Sequence, residues 1–566
     1  MAYFVEKRGE VAELKAPLKD AVLSCNSALL GELLTKVIGY STMGIDCSDL
    51  FTEMIMACNS REITQKKMIY QYMEQYAHAN PENALLAVNT LQRDFKDESP
   101  TIRGLAIRTL SYLRLADLTE YLVPLLKKGM VDNSPYVRKI CAIAVLKLYR
   151  TSREAAAEFM ERLRGMLYDD DNQVVINALS VLDEIEADRH KNGDPRSNGH
   201  VKVDKQLMNH LLSRISGFNE WGRCKALELL HAYEPDTSDE DEVFEVMNTL
   251  DDFLQSNNSA LILSIAKIFL KFTSSMPEIH DQVFECIRHP LLTVVGNSNT
   301  EISYAAICHV RLLCTRNPRV FQPFFKAFFF RVQDSFFVKS TKLEVLASIA
   351  CYENMQLILD ELRFYVYDKS ADIGRLAVRT MCLIACKVAE ALDLCLNHMM
   401  DFLELEVDYL QNETLISLKD ILRKYQHKEF QKKVLPTITN YVHAVNNTEA
   451  QVALFWILGH FGKSIPRAPY VIETYIDSLE ELDSAAQMAL LTCTMRLFFL
   501  RPPEVHSMLG RLLSVTTAEI HNADVFDRAL VYYRLLQHDV KKAEEVVAAH
   551  MAPVPLFTED HETEIQ

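Results

Sequence analysis

A phosphate-binding loop is the first chemistry that the residue types suggest. The segment "GHFGKS" (459–464) contains Gly462-Lys463-Ser464, which match the end of a loop that cradles nucleotide phosphates. That loop needs a second glycine five residues before Gly462, because the backbone amides must wrap the phosphate closely. Ile457 occupies this position, inside the apolar segment "ALFWIL". We therefore interpret the match as a buried helix and predict no nucleotide site.

Metal binding and hydrolysis are the next possibilities. "CLIAC" spaces Cys382 and Cys386 by four residues with no histidine nearby, whereas a zinc site needs four converging ligands. "HETEI" (561–565) fails at the fifth position of the H-E-x-x-H pattern, and no G-x-S-x-G motif is present. We expect no catalytic residues, no metal and no cofactor, and a protein that is not an enzyme. An enzyme with an unrecognised site remains a rival interpretation.

Nucleic-acid binding is disfavoured by charge and by the aromatic pattern. The formal net charge is −17, so bulk electrostatics do not attract nucleic acid or anionic lipid. Residues 321–338 hold eight phenylalanines, but only Lys326 and Arg331 are interleaved as cations, fewer than a base-stacking platform would want. This run predicts a tightly packed repeat core. Thirteen scattered cysteines indicate reduced thiols and hence a cytosolic protein.

The elements that position these residues are repeated helices. "DESPTIRGLAIRTLSYLR" (97–114) and "DNSPYVRKICAIAVLKLY" (132–149) share Asp, Pro and Arg at the same positions. In each copy, apolar residues recur at steps of 4, 4 and 3, which places them on one helix face. The predicted sets are Ile102, Ala106, Leu110, Leu113; Val137, Cys141, Val145, Leu148; Val174, Ala178, Leu182, Ile185; Met68, Tyr72, Tyr76, Ala79; and Ile373, Ala377, Met381, Ile384.

A helix pair about every 35–40 residues is typical of HEAT and armadillo arrays. We predict an all-α fold, a right-handed α-solenoid of HEAT/armadillo-like helix pairs, in which each pair is covered by its neighbours. Ser99 and Ser134 are predicted to cap helices that open with proline. Arg103 and Arg138 either bridge to an Asp of an adjacent turn, forming a ladder, or are solvated.

Few interruptions divide the chain, so residues 1–549 are expected to form one trunk. Residues 186–205 are polar and contain Gly, Pro and Asn, which predicts a surface loop within the array. Residues 550–566 lose the helical period and are expected to form a flexible tail.

The sequence also resembles a known family. "KKMIYQYMEQYAHANPENALLAVNTLQRDFKDESPTIRGLAIRTLSYLR" (66–114) closely resembles the N-terminal trunk of beta subunits of heterotetrameric adaptor protein complexes. The likeness continues, in order and with matching spacing, through 336–362, 415–425, 453–462 and 527–547. Within the family, "LFTEMIMACNSREITQKKMIYQYM" looks most like the beta subunit of adaptor complex four.

This resemblance implies a structural coat subunit that embraces a second large, a medium and a small chain. The assembled complex would select transmembrane cargo for vesicles. It would be cytoplasmic and peripheral on trans-Golgi network or endosomal membranes and transport vesicles, recruited by an Arf-family GTPase. Another HEAT-repeat scaffold, such as a nuclear transport receptor or a phosphatase scaffold, is the alternative that periodicity alone leaves open.

In two places the sequence departs from the family pattern, and each departure removes an expected property. Residues 20–40 carry Lys36 almost alone where phosphoinositide-reading members have a lysine-rich run, which argues against a plasma-membrane phosphoinositide role. The chain stops near the expected start of a hinge, so we expect no ear domain in it. "LFTED" (556–560) ends in Asp where a clathrin box needs an apolar residue, so no direct clathrin binding is expected.

One site is implied by position in the family. Leu85 and Val88 match two apolar residues that an early trunk helix presents to the GTPase. Ala84, Ala87, Leu91 and Phe95 form a stripe at steps of 3, 4 and 4, and the pair lies beside it. Such a wide apolar arc would leave a patch for a partner, unless neighbouring helices bury the pair.

Overall fold

A computed structural model of the chain shows an all-α protein, as the sequence predicts. No β-strand occurs among the described residues, which form stacked helix pairs, so the predicted α-solenoid class is confirmed. The structure describes residues 10–113, 115, 118–193, 201–235, 240–405, 407–425, 434–436, 438, 445, 447–518 and 522–548. The predicted tail, 550–566, lies outside these residues and stays a prediction.

Two compact units make up the chain, residues 1–283 and 284–566. The expectation of one trunk over residues 1–549 stays a prediction. The helices of the first unit are α1 (Lys15–Leu23), α2 (Ser27–Thr42), α3 (Phe51–Ala57), α4 (Ile63–Tyr76), α5 (Pro81–Asp94), α6 (Pro100–Tyr112), α7 (Thr119–Gly129), α8 (Pro135–Thr151), α9 (Arg153–Ala157), α10 (Met160–Gly165), α11 (Asn172–Lys191), α12 (Lys205–Arg214), α13 (Glu220–Ala232), α14 (Glu240–Asp251) and α15 (Ser259–Phe272). Helix α16 (Pro277–Val295) contains the boundary residue.

The second unit continues the same alternation of helices. Its helices are α17 (Thr300–Arg316), α18 (Phe336–Ile349), α19 (Met355–Tyr365), α20 (Ala371–Lys387), α21 (Leu392–Glu404), α22 (Asp408–Lys424), α23 (Thr448–Phe461), α24 (Ala468–Asp477), α25 (Ser484–Leu500), α26 (Pro502–Ala518), α27 (Ala523–His538) and α28 (Val540–Val547). Short 3-10 turns, such as Gln322–Phe328, replace part of a helix in some repeats.

Within each unit the helices form two layers. The A layer is a continuous stack, α4–α6–α8–α11–α13–α15 in the first unit and α17–α18–α20–α22–α23–α25–α27 in the second. The B layer holds the intervening helices, including α5 and α7 in the first unit and α19 and α21 in the second. Each A-layer helix is covered on two sides by its neighbours, which explains why long stretches of it are buried.

Most of the predicted apolar faces are buried. The sets that begin at Ile102, Val137, Val174 and Ile373 lie in the core at every position. The set that begins at Met68 is wrong in register: Tyr72 is buried, but Met68 and Tyr76 are half-buried and Ala79 is exposed beyond the end of α4. The core face of α4 instead carries Ile69, Tyr72 and Met73. Tyr70 and Tyr72 are both buried with their hydroxyls hydrogen-bonded, and tyrosines do not show in the sequence which face of the helix is buried.

The loop predicted at 186–205 begins later than the sequence suggested. Helix α11 continues through Lys191, and the positive charges of Arg189 and Lys191 in its last turn suit the carbonyl end of the helix dipole. Gly193 then adopts a positive φ of 76°, which suits a residue without a side chain just after a helix end. Residues 194–200 of the predicted loop lie outside the described residues.

The predicted ladder is present. The Arg103 guanidinium donates to both carboxylate oxygens of Asp132, at 2.8 and 3.0 Å, and Arg138 does the same to Asp169, at 2.8 and 2.7 Å. We call Arg103, Asp132, Arg138 and Asp169 the Arg–Asp ladder. These side chains are mostly buried, so their hydrogen bonds are shielded from water and rank among the stronger ones in the protein.

The predicted side-chain caps of Ser99 and Ser134 do not form. Ser99 and Ser134 stand at the N-caps of α6 and α8, but neither side chain bonds to the helix. Their backbone N–H groups instead donate to the carboxylates of Asp97 and Asp132, each at 2.8 Å. Such an Asp turn fixes the loop before the helix begins.

Candidate functional site

Helix α5 carries the residue pair expected to meet a partner, and the structure separates the two. Leu85 is 40% exposed, whereas Val88 is only 3% exposed and belongs to the core. The expectation that both residues present apolar surface is therefore wrong for Val88. The predicted stripe of Ala84, Ala87 and Leu91 is buried, and Val88 is part of that stripe.

Leu86, which was not a predicted site residue, is more exposed than Leu85. Its side chain is 63% exposed beside Leu85, so the apolar surface of α5 consists of Leu85 and Leu86. The signal for it was available in the sequence: a leucine one position after Leu85 points away from a stripe that repeats at steps of 3 and 4.

A buried polar network attaches α5 to α4. The Lys66 ammonium group forms an ion pair with Asp94, the last residue of α5, and the Tyr70 hydroxyl donates to the same carboxylate at 2.5 Å. All three side chains are almost completely buried. Burial raises the pKa of the Tyr70 phenol, and the bond to Asp94 raises it further. Losing Lys66 or Asp94 would leave the other charge buried and unpaired, so the network fixes the position of α5.

The phenylalanine-rich segment forms both core and surface. Phe321 and Phe328 are completely buried, as the packed-core interpretation requires, but Phe336 and Phe337 at the start of α18 are exposed. Phe337 is 66% exposed and meets the edge of Tyr304 at a ring-centroid distance of 6.2 Å. The core interpretation is thus confirmed for only part of the segment. The exposed rings form a second apolar surface, on the A layer of the second unit.

The phosphate-loop match is a helix end. Ile457 is completely buried in α23, which confirms the buried-helix interpretation. A Cβ atom at Gly462 would lie 2.6 Å from the Leu458 carbonyl oxygen and would collide with Leu497. This glycine is therefore explained by close helix packing.

The cysteine pair is also part of the core. Cys382 and Cys386 are buried in α20, and the Cys382 thiol donates to the Ser417 carbonyl oxygen at 3.3 Å. Within the described ranges, no three His, Cys, Asp or Glu side chains converge in a way that could hold a metal ion. Among the same residues, no helix is both long enough and apolar enough to cross a lipid bilayer.

Comparisons with known proteins agree with the resemblance seen in the sequence. A family model of the adaptin N-terminal region matches residues 11–540. "Beta-adaptin-like protein A" of Arabidopsis thaliana is 40% identical over 99% of this chain and 67% of its own length. "AP-4 complex subunit beta-1" of Mus musculus is 32% identical over 95% of this chain and 71% of its own length. "AP-1 complex subunit beta-1" of Homo sapiens is 31% identical over 98% of this chain and 57% of its own length.

A solved-structure comparison supports the fold. A homology model of the full-length AP-3 complex in an intermediate open conformation matches with a TM-score of 0.60, covering 94% of this chain and 93% of the matched chain. The identity there is 17%, so this match bears on the fold alone. The family match over most of the chain, together with relatives above 30% identity, shows that this chain belongs to the adaptin family.

Proposed function

We propose that this chain is the trunk of a beta subunit of a heterotetrameric adaptor complex. In this role it is a structural scaffold that holds a second large chain, a medium chain and a small chain for cargo selection into transport vesicles. The observation that carries the proposal is the 40% identity to a beta-adaptin-like protein over 99% of the chain. Repeated helix pairs with exposed apolar rings suit a scaffold that binds other proteins.

Adaptor complex four is the proposed assembly. The segment 50–73 favours it over complex one, whose human beta-1 chain is about as similar to this chain overall as the mouse AP-4 beta-1 chain is. The overall identities, 32% and 31%, are nearly equal, so the local segment supplies the distinction.

Recruitment by a GTP-loaded Arf-family GTPase is proposed at α5. The contact surface consists of the exposed side chains of Leu85 and Leu86, and Val88 supports them from the core. The ion pair between Lys66 and Asp94 keeps the helix in place for this contact.

The proposed cellular location follows from the assignment of this chain to an adaptor complex. We propose a cytoplasmic protein that is peripheral on trans-Golgi network or endosomal membranes through its complex. Its net charge of −17 supports recruitment by a protein partner over direct attraction to anionic lipid. The proposal includes neither direct clathrin binding, nor nucleic-acid binding, nor enzymatic activity.

Co-purification tests the assembly. The tagged full-length chain is expected to recover the medium and small adaptor chains from cytosol, in near-equal amounts by quantitative mass spectrometry. Recovery of a Ran-type GTPase or a phosphatase catalytic subunit in their place would support the other HEAT-repeat scaffolds and contradict the proposal.

A double substitution tests the GTPase contact. Leu85→Asp with Leu86→Asp should weaken binding of GTP-loaded Arf at least about tenfold in a pull-down or calorimetric titration, because charges would replace the apolar contact. Leu23→Asp, at another exposed leucine of the first unit, is the matched control and should bind normally. Unchanged binding by the double variant would contradict the site while leaving the assembly proposal intact.

A further inference from the structure

Helix α19, in the B layer of the second unit, exposes an apolar row that no described part of the chain covers. Leu357 is 51% exposed and Phe364 is 72% exposed. They lie seven residues apart, so they occupy the same face two turns apart, about 10 Å along the helix. Two further exposed rings flank the helix in sequence, Tyr352 before it and Tyr367 after it, at 69% and 58% exposure. Rows of exposed aromatic and leucine side chains of this kind mark interaction surfaces.

Carboxylates surround this row. Asp360 is exposed on α19 between Leu357 and Phe364, three residues after one and four before the other. The next B-layer helix, α21, exposes Asp393 and Asp401 on one face, eight residues apart. Both carboxylates belong to the helix that packs against α19.

An exposed ion pair shows which ends of the two packed helices lie together. The Arg363 guanidinium contacts the Asp401 carboxylate at 3.3 Å, which places the end of α19 beside the second half of α21. Arg363 is the only arginine or lysine on α19 and α21, whereas the two helices carry five carboxylates. Lys369 lies beyond the end of the row, after Tyr367.

His398 adds no positive charge to this surface at neutral pH. Burial lowers the pKa of its imidazole, the Arg363 guanidinium lowers it further, and Asp401 and Asp360 act in the opposite direction. The surface thus combines an apolar row with an excess of negative charge.

We propose that this surface, consisting of Tyr352, Leu357, Phe364 and Tyr367 with Asp360, Asp393 and Asp401, docks a basic amphipathic helix of a partner protein. The apolar face of that helix would lie on Leu357 and Phe364, and its lysines or arginines would meet the carboxylates. A lipid surface is the poorer fit, because the carboxylates are repelled by anionic headgroups. The proposal is independent of the adaptor assignment and of the GTPase contact on α5.

A designed peptide provides the test. The probe is a fluorescein-labelled helix of about 18 residues with leucines on one face and lysines elsewhere, and the matched peptide has glutamate at each lysine position. Each is titrated into the purified full-length chain by fluorescence anisotropy. The lysine peptide should bind, more weakly as salt increases, and hydrogen exchange should slow within 352–367 and 392–404.

Two variants locate the binding. Leu357→Ala with Phe364→Ala should weaken binding of the lysine peptide about tenfold. Asp360→Asn with Asp393→Asn should weaken it about threefold and reduce its salt dependence. Tyr470→Ala, an equally exposed ring elsewhere in the second unit, is the control and should leave binding unchanged. Circular dichroism of all variants should match that of the wild type, because the substituted side chains are exposed.

Several results would overturn the proposal. They are equal binding of the glutamate peptide, unchanged binding by both double variants, and peptide protection confined to other helices. Concentration-dependent self-association that Leu357→Ala with Phe364→Ala abolishes would assign the surface to a second copy of the chain. Sedimentation with phosphatidylserine vesicles that the same variant loses would assign it to a membrane.

Discussion

Arg103 and Asp132 are 29 residues apart in sequence and are joined by two hydrogen bonds, at 2.8 and 3.0 Å. The same guanidinium also donates to the carbonyl oxygens of Asp97 and Glu98, at 3.0 and 2.9 Å. One side chain therefore holds the loop before its own helix and the loop before the next A-layer helix. Arg138 repeats this arrangement one step further along the chain.

Breaking one joint of the Arg–Asp ladder should loosen the helices on both sides of it. Asp132→Asn removes the charge that pairs with Arg103, and we expect a loss of about 2 kcal/mol in the free energy of unfolding of the first unit. Hydrogen exchange should accelerate in α6 and α8. Arg375→Gln, which removes an exposed pair with Asp372, should have little effect. Equal exchange in both variants would show that the ladder contributes nothing.

The ladder should also make the first unit sensitive to acid. Burial alone would raise the pKa of the Asp132 carboxyl, but hydrogen bonds from Arg103 and from the Ser134 N–H outweigh it and lower the pKa below the ordinary 3.8. Asp169 behaves similarly. A lowered folded-state pKa means that the stabilisation is complete above the ordinary value and is lost as pH falls through the folded value.

Thermal unfolding of the wild type and of Asp132→Asn checks this dependence. The difference between their midpoints should be largest near pH about 7 and should shrink below pH about 4, as Asp132 becomes protonated in the wild type. A difference that grows on acidification would have the wrong sign for this mechanism.

A buried and an exposed position on α5 should differ in how strongly an introduced charge destabilises the first unit. Val88→Asp places a carboxylate in the core and should destabilise the first unit by about 3 kcal/mol or more. Leu86→Asp, at an exposed position, should change stability by less than about 0.5 kcal/mol. Differential scanning fluorimetry of the two variants is sufficient, and a stable Val88→Asp protein would refute the described burial.

Two helical glycines should likewise differ on replacement by alanine. A Cβ at Gly374 would lie 2.8 Å from the Val366 carbonyl oxygen, so Gly374→Ala must shift backbone and should cost about 1–3 kcal/mol. A Cβ at Gly39 meets nothing within 4 Å. Gly39→Ala should therefore stabilise α2 by about 0.5–1 kcal/mol. The two melting temperatures should fall on opposite sides of the wild type.

A buried lysine supplies a prediction at alkaline pH. Burial lowers the pKa of Lys147 from 10.5 to about 8, although Glu74 acts in the opposite direction. Between those values the unfolded chain binds more protons than the folded chain, so stability rises with pH. Lys147→Met should raise the melting temperature at pH about 7, and the gain should shrink near pH about 10. Lys127→Met, at a more exposed pair with Glu158, should show no such trend.

Periodicity was sufficient to predict the helix stack. Steps of 4, 4 and 3 identified faces such as Val137 to Leu148 that are completely or almost completely buried, because a helix between two neighbours must bury a regular stripe. The same rule misplaced the face of α4. There Tyr70 and Tyr72 are core residues whose hydroxyls bond to Asp94 and to the Cys47 carbonyl oxygen. Because a tyrosine can be either buried or exposed, these residues did not show in the sequence which face of α4 is buried.

Details of surface and capping depended on tertiary contacts. The sequence placed Val88 beside the core stripe, although 84, 87, 88 and 91 together already form one, and it gave no weight to Leu86. Ser99 looked like a cap because serine is favoured there, but its side chain makes no bond to the helix, and only its backbone N–H is bound, by the carboxylate of Asp97. The apolar row on α19 required knowing which side of that helix its neighbours leave uncovered.

The Arg–Asp ladder has a mechanical consequence. Among the described residues, Arg103 and Arg138 each bond to the loop before their own helix and to the loop before the next A-layer helix, so each joint links neighbouring repeats. Under mechanical force, or in the presence of a protease, we expect the helix pairs to unfold one after another, beginning with a terminal pair. The remaining pairs would stay folded, and the unfolded pairs would refold by packing against an intact neighbour.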